Sequence, residues 1–143
     1  MKWVTREKVH VDRVACPWLI KNFIDKEAEF VFVPIGTDPK SITEGTPFDM
    51  AGVELGHHNS DCSFDAIVKK YGINDPAVLK IQQIVHDADA NGGRATALGS
   101  TLRVVAGGYS LISKDDYEVL EKEFVFYDAL YAFFKNFPEY EIK

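Results

Sequence analysis

Apolar residues recur at helical spacing in the block Val9–Asp25. Leu19 and Phe23 are four positions apart, Ile20 and Phe23 three, and Ile20 and Ile24 four, so one helix face carries them. Pro17 precedes this run, which predicts a helix over 17–25 with proline near its first position, where a missing N–H costs no bond. Trp3–Thr5 and Val9–Val11 read as short strands before it, and Glu29–Val33 as a buried strand ended by Pro34. Strand, helix and strand in this order predict a small βαβ unit with a right-handed crossover.

From Ile35 to Leu55 the periodicity breaks at Gly36, Pro39, Gly45, Pro47 and Gly52. This stretch predicts a loop with two short strands near Phe48 and Val53, and its length suits a functional loop. A helix then follows Cys62 and ends before Gly72. Asp75-Pro76 is an N-cap followed by a first-turn proline, with Val78, Ile81, Val85 and Ala88 as the core stripe and Gly92-Gly93 as the stop. Ala95–Val105 predicts a shorter helix halted by Gly107-Gly108. Ser113 and Asp116 resemble a capping box for a last helix running to Phe137. Tyr117, Leu120, Phe124, Tyr127, Tyr131 and Phe134 form its stripe, read as a core face. The expectation is one α+β domain over 1–143, with a small βαβ-type sheet in the N-terminal half packed with four or five helices.

Composition narrows the class. The chain has 143 residues, 46% of them hydrophobic and 27% charged, which suits a soluble globular protein with a real core. No apolar run reaches membrane-span length and the N-terminus lacks a signal-like segment, so a cytoplasmic protein is expected. A net charge of −6 disfavours nonspecific nucleic-acid binding but leaves room for a small anion on local arginines. Cys16 and Cys62 are then expected as free thiols.

Asp12, Arg13 and Cys16 fall at the predicted strand-to-helix junction, where unpaired N–H groups and the helix dipole favour anions and thiolates. Arg6 and Arg13 could grip a tetrahedral oxyanion, with an Arg13–Asp12 ion pair as the structural alternative. His57 and His58 lie on a loop, and His86 shares a helix face with Asp89, off the core stripe. His57, Cys62, His86, Asp87 and Asp89 supply imidazole, thiol and carboxylate, a donor set for zinc, iron or manganese, although their spacing matches no tight motif. The order His57, His86-Asp87, Asp128 is that of metal-dependent phosphohydrolases of the HD type, an analogy of order alone. Asp128, within Tyr-Asp-Ala-Leu-Tyr, is expected to be buried and paired with an arginine.

Several blocks together resemble a known family: Thr5-Arg6, Asp12-Arg13-x-Ala15-Cys16-x-Trp18-Leu19-Ile20, Phe23-Ile24-Asp25, Phe32-Val33-Pro34, Pro47-Phe48-Asp49, His57, Cys62-Ser63-Phe64, Ile84-Val85-His86-Asp87-Ala88-Asp89 and Tyr127-Asp128-Ala129-Leu130-Tyr131. In this order they resemble the C-terminal domain of the chromate-resistance ChrB family over nearly the whole chain. The resemblance implies a stress-response role beside chromate efflux. Longer members look like chromate-responsive regulators with an additional N-terminal segment for DNA, so direct DNA binding by this chain alone is not expected.

Residues and resemblance together point to a domain that binds a divalent metal, an oxyanion such as chromate, or both. His57, His86, Asp87 and Asp89 are the expected metal ligands. Arg6, Asp12, Arg13, Cys16, His58, Cys62 and Asp128 are the expected ligand-binding residues. A metal-dependent enzyme, hydrolytic or acting on chromate by redox chemistry, stays open. So does a helical interaction module or homo-oligomer built on the aromatic helix.

Overall fold

Trp3, Val4 and Thr5 are all buried, on both faces of one strand, because that strand is the centre of the sheet. The computed structural model describes residues 1–143. Strand β1 (Lys2–Arg6) lies between β2 (Glu29–Val33) and β3 (Thr46–Pro47), parallel to both. Lys2 to Arg6 pair in register with Glu29 to Val33, and Trp3 and Val4 pair with Thr46 and Pro47. Pro47 is tolerated because β3 is an edge strand. With all three strands parallel, Arg6, Val33 and Pro47 end on one edge, the edge where ligands gather in open parallel sheets.

Five helices complete an α+β fold: α1 (Asp12–Phe23), α2 (Ser63–Lys70), α3 (Pro76–Ala90), α4 (Ala97–Ile112) and α5 (Asp116–Asn136), with a single 3-10 turn at Pro39–Ser41. Helix α1 is the hub. Its Trp18 ring lies 5.8 Å from Phe23 and from Tyr127 and 6.0 Å from Tyr131, so the aromatic stripe of α5 closes over it. Tyr127 and Phe134 are fully buried there, whereas Tyr117 at the start of the stripe is exposed and meets Phe32 edge-on.

Five features differ from those the pattern predicts. Helix α1 begins at Asp12, so Pro17 lies inside it and the segment Val9–Val11 is no strand. Val11 turns the chain with φ 23°, and Val14 and Ala15 already bond its carbonyl. Near Val53 the backbone forms no strand, and β3 ends just before Phe48. Helix α4 runs straight through Gly107-Gly108 to Ile112. Two mid-helix glycines cost about 1 kcal/mol each. The buried Leu102 and Ala106 before them, and the Ser110 hydroxyl bonded to the Val9 carbonyl at 3.1 Å after them, hold the helix in place. The cap of α5 is Asp115, which accepts the Glu118 N–H at 2.9 Å, rather than Ser113. Asp116 instead accepts the N–H groups of Lys8 and Val9, each at 2.9 Å, and so anchors the loop ahead of α1.

Candidate metal centre

Asp12 opens α1 and is buried, yet its carboxylate serves another helix. Oδ2 accepts the Ser63 N–H at 2.7 Å, and Oδ1 accepts the Phe64 N–H at 3.1 Å and the Cys16 thiol at 3.4 Å. The unpaired N–H groups at the start of α2 thus meet an anion supplied by α1, as helix polarity favours. Asp49 follows β3 at the sheet edge with φ 47°, a conformation Asp adopts more readily than most residues. Its Oδ1 accepts the Ser63 hydroxyl at 2.7 Å, and its Oδ2 pairs with Arg13 Nε at 3.1 Å.

His57 stands over these two carboxylates. Its Nε2 lies 3.5 Å from Asp12 Oδ2, 3.4 Å from Asp49 Oδ1 and 3.1 Å from Asp89 Oδ2, the last presented by the end of α3. The hydrogen bonds to Asp12 and then Asp49 hold the imidazole protonated, with a pKa pushed up to about 10. Burial, then the charges of Asp12 and Asp49, pushes Asp89 up to about 7. Burial also raises Asp12, against its bonds to His57 and Ser63. The His57 side chain is 51% exposed and that of Asp89 22%, so the cluster opens to solvent on this side. Donor atoms of Asp12, Asp49 and His57 all lie within 4.8 Å of one another. Three carboxylates and one imidazole are an oxygen-rich donor set with one nitrogen, suited to a divalent cation.

His86 belongs to a separate group. Its Nδ1 lies 2.6 Å from Asp65 Oδ2, which also accepts the Cys62 N–H at 2.9 Å and the Cys62 thiol at 3.2 Å. Gln82 donates to the other Asp65 oxygen at 2.8 Å. Asp87, next along α3, turns the opposite way. It accepts the N–H groups of Ala95 and Thr96, each at 2.9 Å, and the Thr96 hydroxyl at 2.8 Å, closing the turn into α4. Asp128 is exposed, not buried against an arginine, and accepts the Trp18 indole N–H at 2.9 Å. His57, His86, Asp87 and Asp128 therefore do not converge as an HD-type site would require.

The remaining candidates also separate. His58 is exposed, with Nε2 at 2.7 Å from the Glu54 carbonyl. Arg13 is engaged by Asp49, not Asp12, and donates from its guanidinium to the Glu7 carbonyl at 3.1 Å. Arg6 makes no ion pair. It lines a depression of about 300 Å³ with Thr37, Asp38 and Met50. Both thiols are fully buried. Burial first, then the charge of Asp12, raises each thiol well above its ordinary pKa, so the thiolate expected at a helix start is disfavoured instead. The reason is placement: Cys16 sits in the second turn of α1 against Asp12, not at an open N-terminus.

Two members of these groups escaped the sequence reading. Asp49 stands in the Pro47-Phe48-Asp49 block of the family resemblance, but nothing in its Gly/Pro-punctuated loop marks it as a ligand. Asp65 sits three residues after Cys62, the spacing of a capping box that a cysteine does not advertise.

Residues 3–134 match the family model described as ChrB, C-terminal domain. The chain is 30% identical over 137 residues to Protein ChrB of Cupriavidus metallidurans (strain ATCC 43123 / DSM 2839 / NBRC 102507 / CH34), an alignment that covers 94% of this chain and 41% of that protein. No solved structure matches. No helix is long and apolar enough to cross a membrane. With the DRxACxWLI block forming α1 and the VHDAD block ending α3, and with the family model spanning both, the chain belongs to the ChrB C-terminal domain family.

Proposed function

We propose that this domain holds a divalent cation between Asp12, Asp49, Asp89 and His57, and serves chromate resistance by binding the oxyanion at that centre. The observation that carries the reading is the approach of His57 Nε2 to three carboxylates from α1, the sheet edge and α3 at 3.1–3.5 Å. Without metal the His57 imidazolium and Arg13 offset these carboxylates; a divalent cation takes the place of the His57 Nε2 proton, which leaves to solvent. Oxygen-rich coordination with one imidazole fits manganese, iron(II) or zinc.

Chromate is a dianion, and the carboxylates alone repel it. A bound divalent cation, together with Arg13 beside Asp49, offsets the three carboxylate charges and leaves an open coordination position for the dianion. The oxyanion is thus expected to bind only to the metal-loaded domain. Arg13 flanks the anion in this reading. Arg6 lines its own depression and takes no part. The role is that of a binding and sensing module.

The test is calorimetry on the intact chain. Manganese, iron(II) or zinc is expected to bind stoichiometrically and to raise Tm, and chromate is expected to bind after metal loading but not in chelator. Asp49→Asn and Asp89→Asn are each expected to weaken the metal. Lack of metal binding by the wild type removes the reading, and equal chromate affinity with and without chelator removes its oxyanion half.

A further inference from the structure

The second donor group, Cys62, Asp65 and His86, has chemistry of its own. Sγ, a carboxylate oxygen and an imidazole nitrogen lie within 4.8 Å of one another. They come from the N-cap of α2, its first turn and the C-terminal third of α3. Asp65 Oδ2 alone meets three donors, from the Cys62 backbone, the Cys62 thiol and His86 Nδ1.

The identity of residue 62 is informative. An N-cap calls for Ser, Thr, Asp or Asn, whose oxygen accepts a helix N–H well. Cys62 caps α2 in a reciprocal box with Asp65, but sulfur is a weaker acceptor than the usual cap oxygen, and it adds a thiol beside a carboxylate and an imidazole. Cys62 and Asp65 are buried, and the group opens to solvent on the His86 side. His86 keeps 31% of its side chain exposed and lines a depression of about 250 Å³ with Leu79, Gln82 and Gln83. Gln82 holds the free oxygen of Asp65, an outer-shell bond of the sort that orients ligating carboxylates.

We infer that Cys62, Asp65 and His86 form a second cation site, selective for a thiophilic divalent ion such as zinc, with its fourth position facing the Leu79–Gln82–Gln83 depression. Three protein ligands of S, O and N type with one open position are a known zinc arrangement. On binding, the ion replaces the Cys62 thiol proton, which leaves to solvent. The Nδ1 proton of His86 moves to Nε2 on the exposed side, so one proton is released per ion. The site is chemically distinct from the oxygen-rich centre at Asp49, and each can be emptied without the other.

Cobalt(II) is the probe. Added to the intact chain it is expected to give a sulfur-to-cobalt charge-transfer band. Cys62→Ser and His86→Ala should abolish the band, while Cys16→Ser and Asp49→Asn should retain it. A wild type without the band, a band that survives Cys62→Ser, or one lost only in Cys16→Ser overturns the inference. Circular dichroism checks that each variant is folded. Cadmium NMR on the unmodified protein gives an answer free of variants: a sulfur-ligated resonance is expected, and one confined to the oxygen and nitrogen range overturns the site. Asp49→Asn that loses manganese but keeps the cobalt–sulfur band separates failure of one centre from failure of the other.

Discussion

Asp12 reaches from the first residue of α1 to the backbone of Ser63, accepting its N–H at 2.7 Å across a sequence separation of 51 residues. The same side chain takes the Phe64 N–H and faces His57. It therefore links the start of α2 to the proposed cation centre. Asp12→Ala would leave two buried N–H groups without partners, at about 1–3 kcal/mol each. Asp12→Asn keeps one acceptor oxygen. The alanine variant is expected to lower stability by about 3 kcal/mol and the asparagine variant by roughly half of that, as read from urea unfolding in chelator. Equal stability of wild type and Asp12→Ala would show that the link carries no energy.

Arg13 plays two opposed parts. Its guanidinium neutralises Asp49, whose side chain is only 6% exposed, but it also occupies an oxygen at the centre proposed to take a cation. Arg13→Ala is expected to destabilise the metal-free chain by about 3 kcal/mol, the usual result of stripping one partner from a buried pair. It is expected to bind manganese more tightly, because one competing positive charge is gone. Thermal melts with and without manganese check both signs, and a weaker manganese affinity in Arg13→Ala contradicts the placement of the cation beside Asp49.

Local patterns carried much of the fold. EFVFV, Asp75-Pro76 and the α5 stripe each form their element where the pattern predicts, although EFVFV is a half-exposed edge strand and not the buried one expected, because β1 takes the centre of the sheet. What failed locally was decided by distant partners. Pro17 would normally mark a helix start, yet α1 begins five residues earlier because Asp12 is held by α2 and Arg13 by Asp49. Gly107-Gly108 would stop an isolated helix, but Ser110 and Ala106 are fixed on both sides. The site shows the same division. His57, Asp12 and Asp89 were readable as donor types. That His86 turns to Asp65 while Asp89, three residues on, turns to His57 is a matter of helix rotation against two different neighbours, which spacing does not encode.

Gly99 offers a test that leaves both donor groups alone. It is the third residue of α4, where alanine would ordinarily favour the helix by about 1 kcal/mol. Here a Cβ would run into the Asp87 carboxylate and stand 2.8 Å from Thr96 Oγ1. Those are the two side chains that close the α3–α4 turn. Gly99→Ala is expected to lose about 2 kcal/mol, reversing the sign of the propensity effect. Guanidinium unfolding measures it. A gain in stability would mean the turn yields without cost and that Asp87 is free to move.

Glu123 supplies one share of the pH dependence, beside Asp89 and His57. It is fully buried on α5 and neither oxygen finds a hydrogen-bond partner. Burial pushes its pKa from 4.5 up to about 7. In the unfolded chain the carboxyl ionises near 4.5, while in the folded chain it stays protonated until about 7. Between these values the folded state binds more protons, so stability falls as pH rises, and it levels off above the folded value. The difference amounts to about 3 kcal/mol. Glu123→Gln carries no ionisable group and has the size of the protonated acid, so it should lessen this slope, leaving the share that Asp89 contributes. It should match the wild type at about pH 4 and exceed its stability at about pH 8. Urea midpoints at the two ends decide the matter: an unchanged slope in Glu123→Gln would assign the titration to another group.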